Sequence, residues 1–381
     1  MHTNDLSGPL QESVIAAIAD SDRKGFRIVG GESKHFLGRE PIGVPLSVAE
    51  HRGIVHYEPK ELVITARCGT KLIDLESTLA ERGQMLPFEP PHFGDAATLG
   101  GTVATGLSGP CRPYVGATRD FVLGVRLLNG RGEILHFGGE VIKNVAGYDV
   151  SRLMTGAMGT LGILLEISIK VVPTPAEEIT LVREHTPAEA ILLMNTWAGR
   201  SLPISGACFD GQRLYIRLSG RLSGRLSGAA SATHPARERL GGELFELLTE
   251  SPNQSRHGPE GNGFWPEVRE QRHPFFTPSL QGIEPLWRLS VPPATPPMTL
   301  SGEWFIEWGG GQRWLRTELP AHKIREAVSA IGGHATLFRG GDRTTQVYHP
   351  LPPKLMALHQ RIKQAFDPHG LFNPGRLYPN L

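Results

Sequence analysis

The segment DAATLGGTVATGLSGP, residues 95 to 110, holds small residues almost without interruption. Such a run offers little side chain to bury, so it suits a backbone that must approach a charged or planar ligand closely. Taken alone, a tightly packed interior loop is its lesser, competing reading. A second glycine site lies upstream in RIVGGESKHFLG, residues 27 to 38, directly after a β-rich run. Paired glycines there bring bare backbone N–H groups against an anion such as a pyrophosphate, although an ordinary turn explains the pair by itself. The spacing GxGxxG is absent and no amphipathic helix follows, which disfavours a dinucleotide fold of the Rossmann kind.

The texture of the chain changes twice. Up to about residue 175, short β-rich runs alternate with glycine clusters: FRIVG (26 to 30), ELVITARCG (61 to 69), FVLGVRLLN (121 to 129) and LGILLEISIKVV (161 to 172). Leu72, Leu75 and Leu79 stand at helical spacing, with Thr70 as the expected cap and Gly83 as the stop. Further on, VIKNVAGYDVSRLMTGAMGTLGIL (141 to 164) predicts a polar loop, a short helix and a GxxGxxG spacing that leads into a strand. From 176 to 345 the chain carries most of its tryptophan, including the alternating EWFIEW (303 to 308), and reads as a second, α+β lobe. RLSG occurs there three times in tandem, from 217 to 228, too short a period for a solenoid; it reads as a lengthened loop. From 346 to 381, Leu355, Leu358, Ile362 and Phe366 form one stripe of a docking helix that stops at Asp367-Pro368 and returns the chain to the first lobe.

The 381 residues suffice for these two lobes, each with its own core. The formal net charge is +1, so no single-signed field is available to gather nucleic acid. Three cysteines without a CxxC pair predict neither a disulfide framework nor a zinc or iron–sulfur site. The N-terminus lacks the basic start and apolar run of a secretory signal, and residues 161 to 172 are too short to span a bilayer. These features predict a cytoplasmic protein with at most peripheral membrane contact through partners, at the inner face of the cytoplasmic membrane.

Four segments, in this order and spacing, carry a resemblance: Gly30-Gly31 after a strand, TLGGTVATG (98 to 106), KxxxGYDxxxLxxGxxGxLGI (143 to 163) and FDPxGLFNPG (366 to 375). Together they resemble the FAD-binding PCMH-type, or vanillyl-alcohol oxidase, family of flavoproteins. Within it the chain is most similar to the FAD-binding subunits of glycolate oxidase complexes, and FWPEVREQRHPFF (264 to 276) and LWRLSVPP (286 to 293) look like the cap of those subunits. The resemblance implies an α+β fold: a two-subdomain FAD-binding domain over residues 1 to 175, an α+β cap on an antiparallel sheet over 176 to 345, and a C-terminal segment.

It also implies that an extended FAD lies along Gly30, Gly31, Glu32, Ser33 and Lys34 and along Thr98, Gly100, Gly101 and Thr102. Asp120 and Val122, with Gly162 and Ile163, would flank its adenosine end. Tyr148 and Asp149 would lie in the GYD turn, and Asn373 would close the site. Relatives that attach FAD through histidine carry it directly after the loop glycines, where this chain has Glu32, so the FAD is expected to be non-covalent; Cys111 is expected to be structural. The histidine-rich metal motif of related 2-hydroxy-acid dehydrogenases is missing, so the catalytic residues stay unassigned. Arg269, Arg272, His273 and Arg288 are candidates to clamp a substrate carboxylate, and a surface or turn role accounts for them equally well.

The expected role is an FAD subunit of a complex that oxidises glycolate to glyoxylate. A larger FAD-containing subunit and an iron–sulfur subunit would be its partners, and a small 2-hydroxy acid its substrate. A self-sufficient hydroxy-acid or alcohol oxidoreductase and a non-catalytic scaffold are the competing expectations.

Overall fold

The computed structural model describes residues 4–22, 24–139, 149–220, 233–241, 245–248, 258, 260–282 and 284–381. The first lobe opens with helix α1 (Ser7–Ala19) and a parallel pair of strands, β1 (Phe26–Val29) and β2 (Val44–Ser47). Its main sheet is antiparallel, with β3 (Ile54–Glu58), β4 (Val63–Arg67), β6 (Val122–Leu128), β7 (Ile134–Gly138) and β8 (Ile163–Lys170) in the order β3-β4-β8-β6-β7. Strand β8 is central and buried on both faces, which is why ILLEISIK is apolar almost throughout rather than alternating. Short strands β5 (Gln84–Met85) and β9 (Val172–Pro173) pair beside it.

Helix α2 (Leu72–Ala80) lays Leu72, Leu75 and Leu79 into the core of this lobe with Ile64, Leu165 and Ile167, and all three leucines are fully buried. Its cap differs from the expectation. Lys71 occupies the N-cap position, because the Thr70 hydroxyl is already taken, accepting from Gly53 N at 2.9 Å inside the core. The second glycine cluster forms a helix of its own, α3 (Leu99–Thr105), whose N-cap Thr98 accepts from Gly101 N at 3.2 Å.

The second lobe is one eight-stranded antiparallel sheet. It contains β10 (Glu177–Glu184), β11 (Ile204–Phe209), β12 (Arg213–Gly220), β13 (Glu246–Leu247), β14 (Leu286–Ser290), β15 (Glu303–Glu307), β16 (Gln312–Arg316) and β17 (His334–Arg339), in the order β13-β10-β12-β11-β15-β16-β14-β17. Helices Pro187–Ala198, Thr233–Leu240 and Ala321–Ser329 supply Met194, Leu240 and Ile324 to the clusters packed on this sheet. A further cluster mixes Leu37, Leu107 and Met158 of the first lobe with Phe276, Phe305, Trp314 and Phe338 of the second. The lobes therefore share an apolar seam.

The first copy of RLSG is not loop. Arg217, Leu218 and Ser219 are the end of β12 and are buried; the copies at 221 to 228 fall outside the described residues. Arg217 Nη2 pairs with Glu89 Oε1 at 2.8 Å across the seam, and its Nε lies 3.7 Å from Glu178.

The C-terminal helix Pro353–Phe366 docks by its last turns only. Ile362 and Phe366 pack on the first core, whereas Leu355 and Leu358 stay about two-fifths exposed, because the chain reaches the first lobe only at the helix end. Lys363 Nζ holds it there, donating to Thr160 O at 2.7 Å and Phe372 O at 2.8 Å and pairing with Asp367 at 2.7 Å. Beyond it, Asn373 N donates to Phe26 O at 2.8 Å and fastens the terminus to β1.

Candidate functional site

A cleft of about 910 Å³, open to solvent on one side, runs between the loop after β1, helix α3 and the start of β8. It collects Gly30, Gly31, Glu32, Ser33, Lys34, Thr98, Gly100, Gly101, Gly162, Ile163 and Asn373, which come from four separate segments of the sequence. Close packing explains the glycines. A Cβ on Gly31 would lie 1.4 Å from Ala96 O, and one on Gly100 would lie 2.7 Å from Cys68 Cβ. At Gly101 a Cβ would meet only Thr98 Oγ1, at 3.2 Å. The first two glycines hold the walls together, and the third leaves space over the cleft.

The two glycine segments present different groups. In α3 the N–H groups of Leu99, Gly100, Gly101 and Thr102 are all spent inside the protein, on Thr70 O, Cys68 O, the Thr98 hydroxyl and Thr98 O. Among the described residues, no group accepts from the backbone N–H of Gly31, Glu32, Ser33 or Lys34. Four consecutive unspent donors, with Glu32 in the left-handed region at φ 52°, form the kind of concavity that binds anions. Lys34 adds a cation. It is 7 % exposed, its Nζ lies 3.0 Å from His92 O and 3.4 Å from Ser33 Oγ, and burial lowers its pKa to about 8, with Glu270 and Glu76 only partly offsetting this. A buried ammonium without an ion-pair partner and four amides without an acceptor, both among the described residues, fit a pyrophosphate.

Asn373 closes the far wall. Its Oδ1 accepts from Ile28 N at 2.8 Å and its Nδ2 donates to Met158 O at 2.6 Å. The remaining sequence candidates lie elsewhere. Thr102 is fully buried on the inner side of α3, and Val122 is in the sheet core. The Asp120 carboxylate accepts from Ala117 N at 2.8 Å, and exposed Asp149 caps the helix Val150–Met154 and pairs with Arg152 at 2.9 Å. Tyr148 lies outside the described residues. Arg27, His35, Met158, Gly159 and Arg376 also line the cleft. The spacing of the two glycine runs gave no signal for them, although Gly159 belongs to GxxGxxG and Arg376 follows the terminal NPG.

A second cavity, about 340 Å³, lies at the seam where the chain leaves α3. Leu107, Ser108 and Gly109 form one wall and Arg288, Glu307, Gln312 and Trp314 of the cap sheet form another. Among the described residues, five of the eight non-glycine residues with positive φ line these two sites: Glu32, Met158 and Asn373 the cleft, Phe93 and Gln271 the cavity. Backbone strain of this kind persists where surrounding structure enforces it, commonly at ligand sites.

The four cap residues singled out from the sequence divide. Arg269 Nε pairs with Glu270 at 2.8 Å, Arg272 donates to Gly261 O, and the His273 Nδ1 accepts from Phe275 N at 3.3 Å. Arg288 remains without a carboxylate in ion-pairing range among the described residues; its Nε donates to Gln312 Oε1 at 2.6 Å. Cys111 is fully buried, and burial together with Glu89 pushes its thiol well above the usual range, which makes it inert. Among the described residues, no group of three or more His, Cys, Asp or Glu side chains is placed to hold a metal ion, and no helix is long and apolar enough to cross a membrane.

Comparison with known proteins bears on the chain as a whole. Residues 11–138 match the FAD binding domain, and residues 339–377 match the C-terminal domain of FAD linked oxidases. The chain is 48 % identical over 377 residues, 99 % of either sequence, to glycolate oxidase subunit GlcE of Escherichia coli. It belongs to the GlcE family of FAD-binding oxidase subunits. Glycolate oxidase subunit GlcD of Bacillus subtilis is 30 % identical over 176 residues, 46 % of this chain and 37 % of that protein. In structure, alkyldihydroxyacetonephosphate synthase superposes over 96 % of this chain and 74 % of its own with a TM-score of 0.66 at 16 % identity, which shows a shared fold.

Proposed function

We propose that this chain is the FAD-binding subunit of a complex that oxidises glycolate to glyoxylate and passes the electrons to partner subunits. The observation that carries this reading is the match along essentially the whole chain to the Escherichia coli glycolate oxidase subunit, which includes both glycine segments and the NPG terminus. The cleft fits the cofactor. Gly31 to Lys34 would hold the pyrophosphate, with Gly30, Thr98, Gly100, Gly101, Gly162, Ile163 and Asn373 as walls. Bound there without a covalent link, FAD would supply the two-electron chemistry.

A larger FAD-containing subunit and an iron–sulfur subunit complete the proposal. A cubane cluster is held by four thiolates, and this chain has three cysteines, each buried. Onward electron transfer therefore calls for another chain, and contact with the inner face of the cytoplasmic membrane would be made through it. The test is a visible spectrum of the chain purified with its natural partners, taken before and after addition of glycolate. Bleaching of flavin bands in the complex supports the reading, and purification without flavin together with failure to take up FAD refutes it.

A further inference from the structure

Arg288 stands on β14 at the edge of the seam cavity with its guanidinium stacked over Trp308, 5.1 Å from the ring. Its only hydrogen bond among the described residues uses Nε, leaving the two terminal amino groups for another acceptor. The carboxylate that acts on it, Glu307, already accepts from Trp314 Nε1 at 2.5 Å and Gln312 Nε2 at 2.9 Å. A second guanidinium stands behind the wall. Arg339 donates Nε to Gln271 Oε1 at 2.8 Å, lies among Phe36, Phe93 and Phe338, and also has no carboxylate in ion-pairing range among the described residues. Burial lowers both pKa values, to about 10 and about 9, and both groups stay charged at neutral pH. The seam thus carries two guanidiniums that no carboxylate pairs with in ion-pairing range among the described residues, and Glu307 offsets Arg288 only from beyond that range.

Desolvated guanidiniums without a paired carboxylate, beside a cavity, mark a candidate anion site. The planar guanidinium fork matches a carboxylate with two parallel N–H donors. Glu307, facing the same space, would repel a dianion, and the narrowness of the cavity excludes a large acid. We propose that a small monocarboxylate binds in this cavity with Arg288 as its counter-ion. The inference goes beyond the proposed function, which does not say which chain of the complex holds the acid, and it does not require FAD in the cleft.

Calorimetric titration of the full chain with glycolate, and with ethylene glycol as its uncharged analogue, tests the site, with FAD uptake measured on the same samples. Saturable binding of glycolate and none of ethylene glycol is expected. Arg288→Met should weaken glycolate at least tenfold and Arg288→Lys at least threefold, because a point charge replaces a fork. Arg112 stacks on Trp308 at 4.3 Å but does not line the cavity, so Arg112→Met should change affinity less than threefold. Equal losses in the Arg112 and Arg288 variants, undiminished binding in Arg288→Lys, or no saturable binding to a chain that takes up FAD normally would each overturn the site. Normal glycolate binding by a chain that takes up no FAD would refute the cofactor reading and leave this one standing.

Discussion

The Lys34 ammonium lies 3.0 Å from the carbonyl oxygen of His92 and has no carboxylate in ion-pairing range among the described residues. Its burial costs the empty protein stability that a bound anion restores. Lys34→Met should therefore weaken FAD at least tenfold, about 1.4 kcal/mol, while leaving the melting temperature of the FAD-free protein unchanged or raised. Melting curves with and without FAD check both halves. A lowered melting temperature without FAD would show that the lysine is structural.

The pH dependence has opposite signs for binding and folding. Lys34 releases its proton near pH 8, well below its ordinary 10.5, so FAD affinity should fall as pH rises through about 8. Between those two values the unfolded chain holds the extra proton, so this group's contribution to FAD-free stability rises with pH. FAD titrations at pH 7 and pH 9, on wild type and Lys34→Met, separate the two: the difference between the proteins should shrink at pH 9.

Gly101 and Gly31 make a matched pair of variants. Gly101→Val places its side chain over the cleft at a helical position and should fold, with loss of FAD uptake. Gly31→Ala drives a Cβ into Ala96 O and should lower solubility and the melting point whatever FAD does. Uptake of FAD by Gly101→Val would contradict the placement of the cofactor along α3.

Asn373→Ala removes both side-chain bonds that join the terminus to Ile28 and Met158. Leaving such groups unsatisfied costs about 1–3 kcal/mol each, so the denaturation midpoint should drop measurably. Truncation before residue 373 should do at least as much damage.

Deletion of residues 221 to 228 removes the second and third RLSG copies and spares the first, whose Arg217, Leu218 and Ser219 make the buried contacts of β12. The deleted protein should melt within a few degrees of the full chain. Arg217→Ala, in contrast, strands Glu89 and should cost about 3–5 kcal/mol.

Strands β1, β4, β6 and β8 were legible in the sequence as short β-rich apolar runs, β15 by its alternation, and the helix over Leu72 to Leu79 because its leucines recur at helical spacing. The eleven cleft residues were legible through the resemblance, since spacing between glycines records where backbone comes close. Other features were not. The Thr70 hydroxyl went to Gly53 instead of the helix cap, because a polar group in the core takes the partner that tertiary packing offers. The α3 amides, expected beside the cofactor, were spent on Cys68 and Thr70, and only the three-dimensional pairing of these segments could reveal that. Arg288, Gln312 and Glu307 come together through strand register on β14, β15 and β16, which no local pattern encodes.

The Arg217–Glu89 pair spans the seam in a buried setting. Prising the lobes apart would expose a desolvated ion pair together with the aromatic layer around it, a barrier far higher than the motion of a surface loop. Cofactor exchange must then proceed by entry and exit along the open side of the cleft, and its rate should be insensitive to whatever docks against the cap. A partner subunit that accelerates or retards flavin release would have to touch the rim of the first lobe itself.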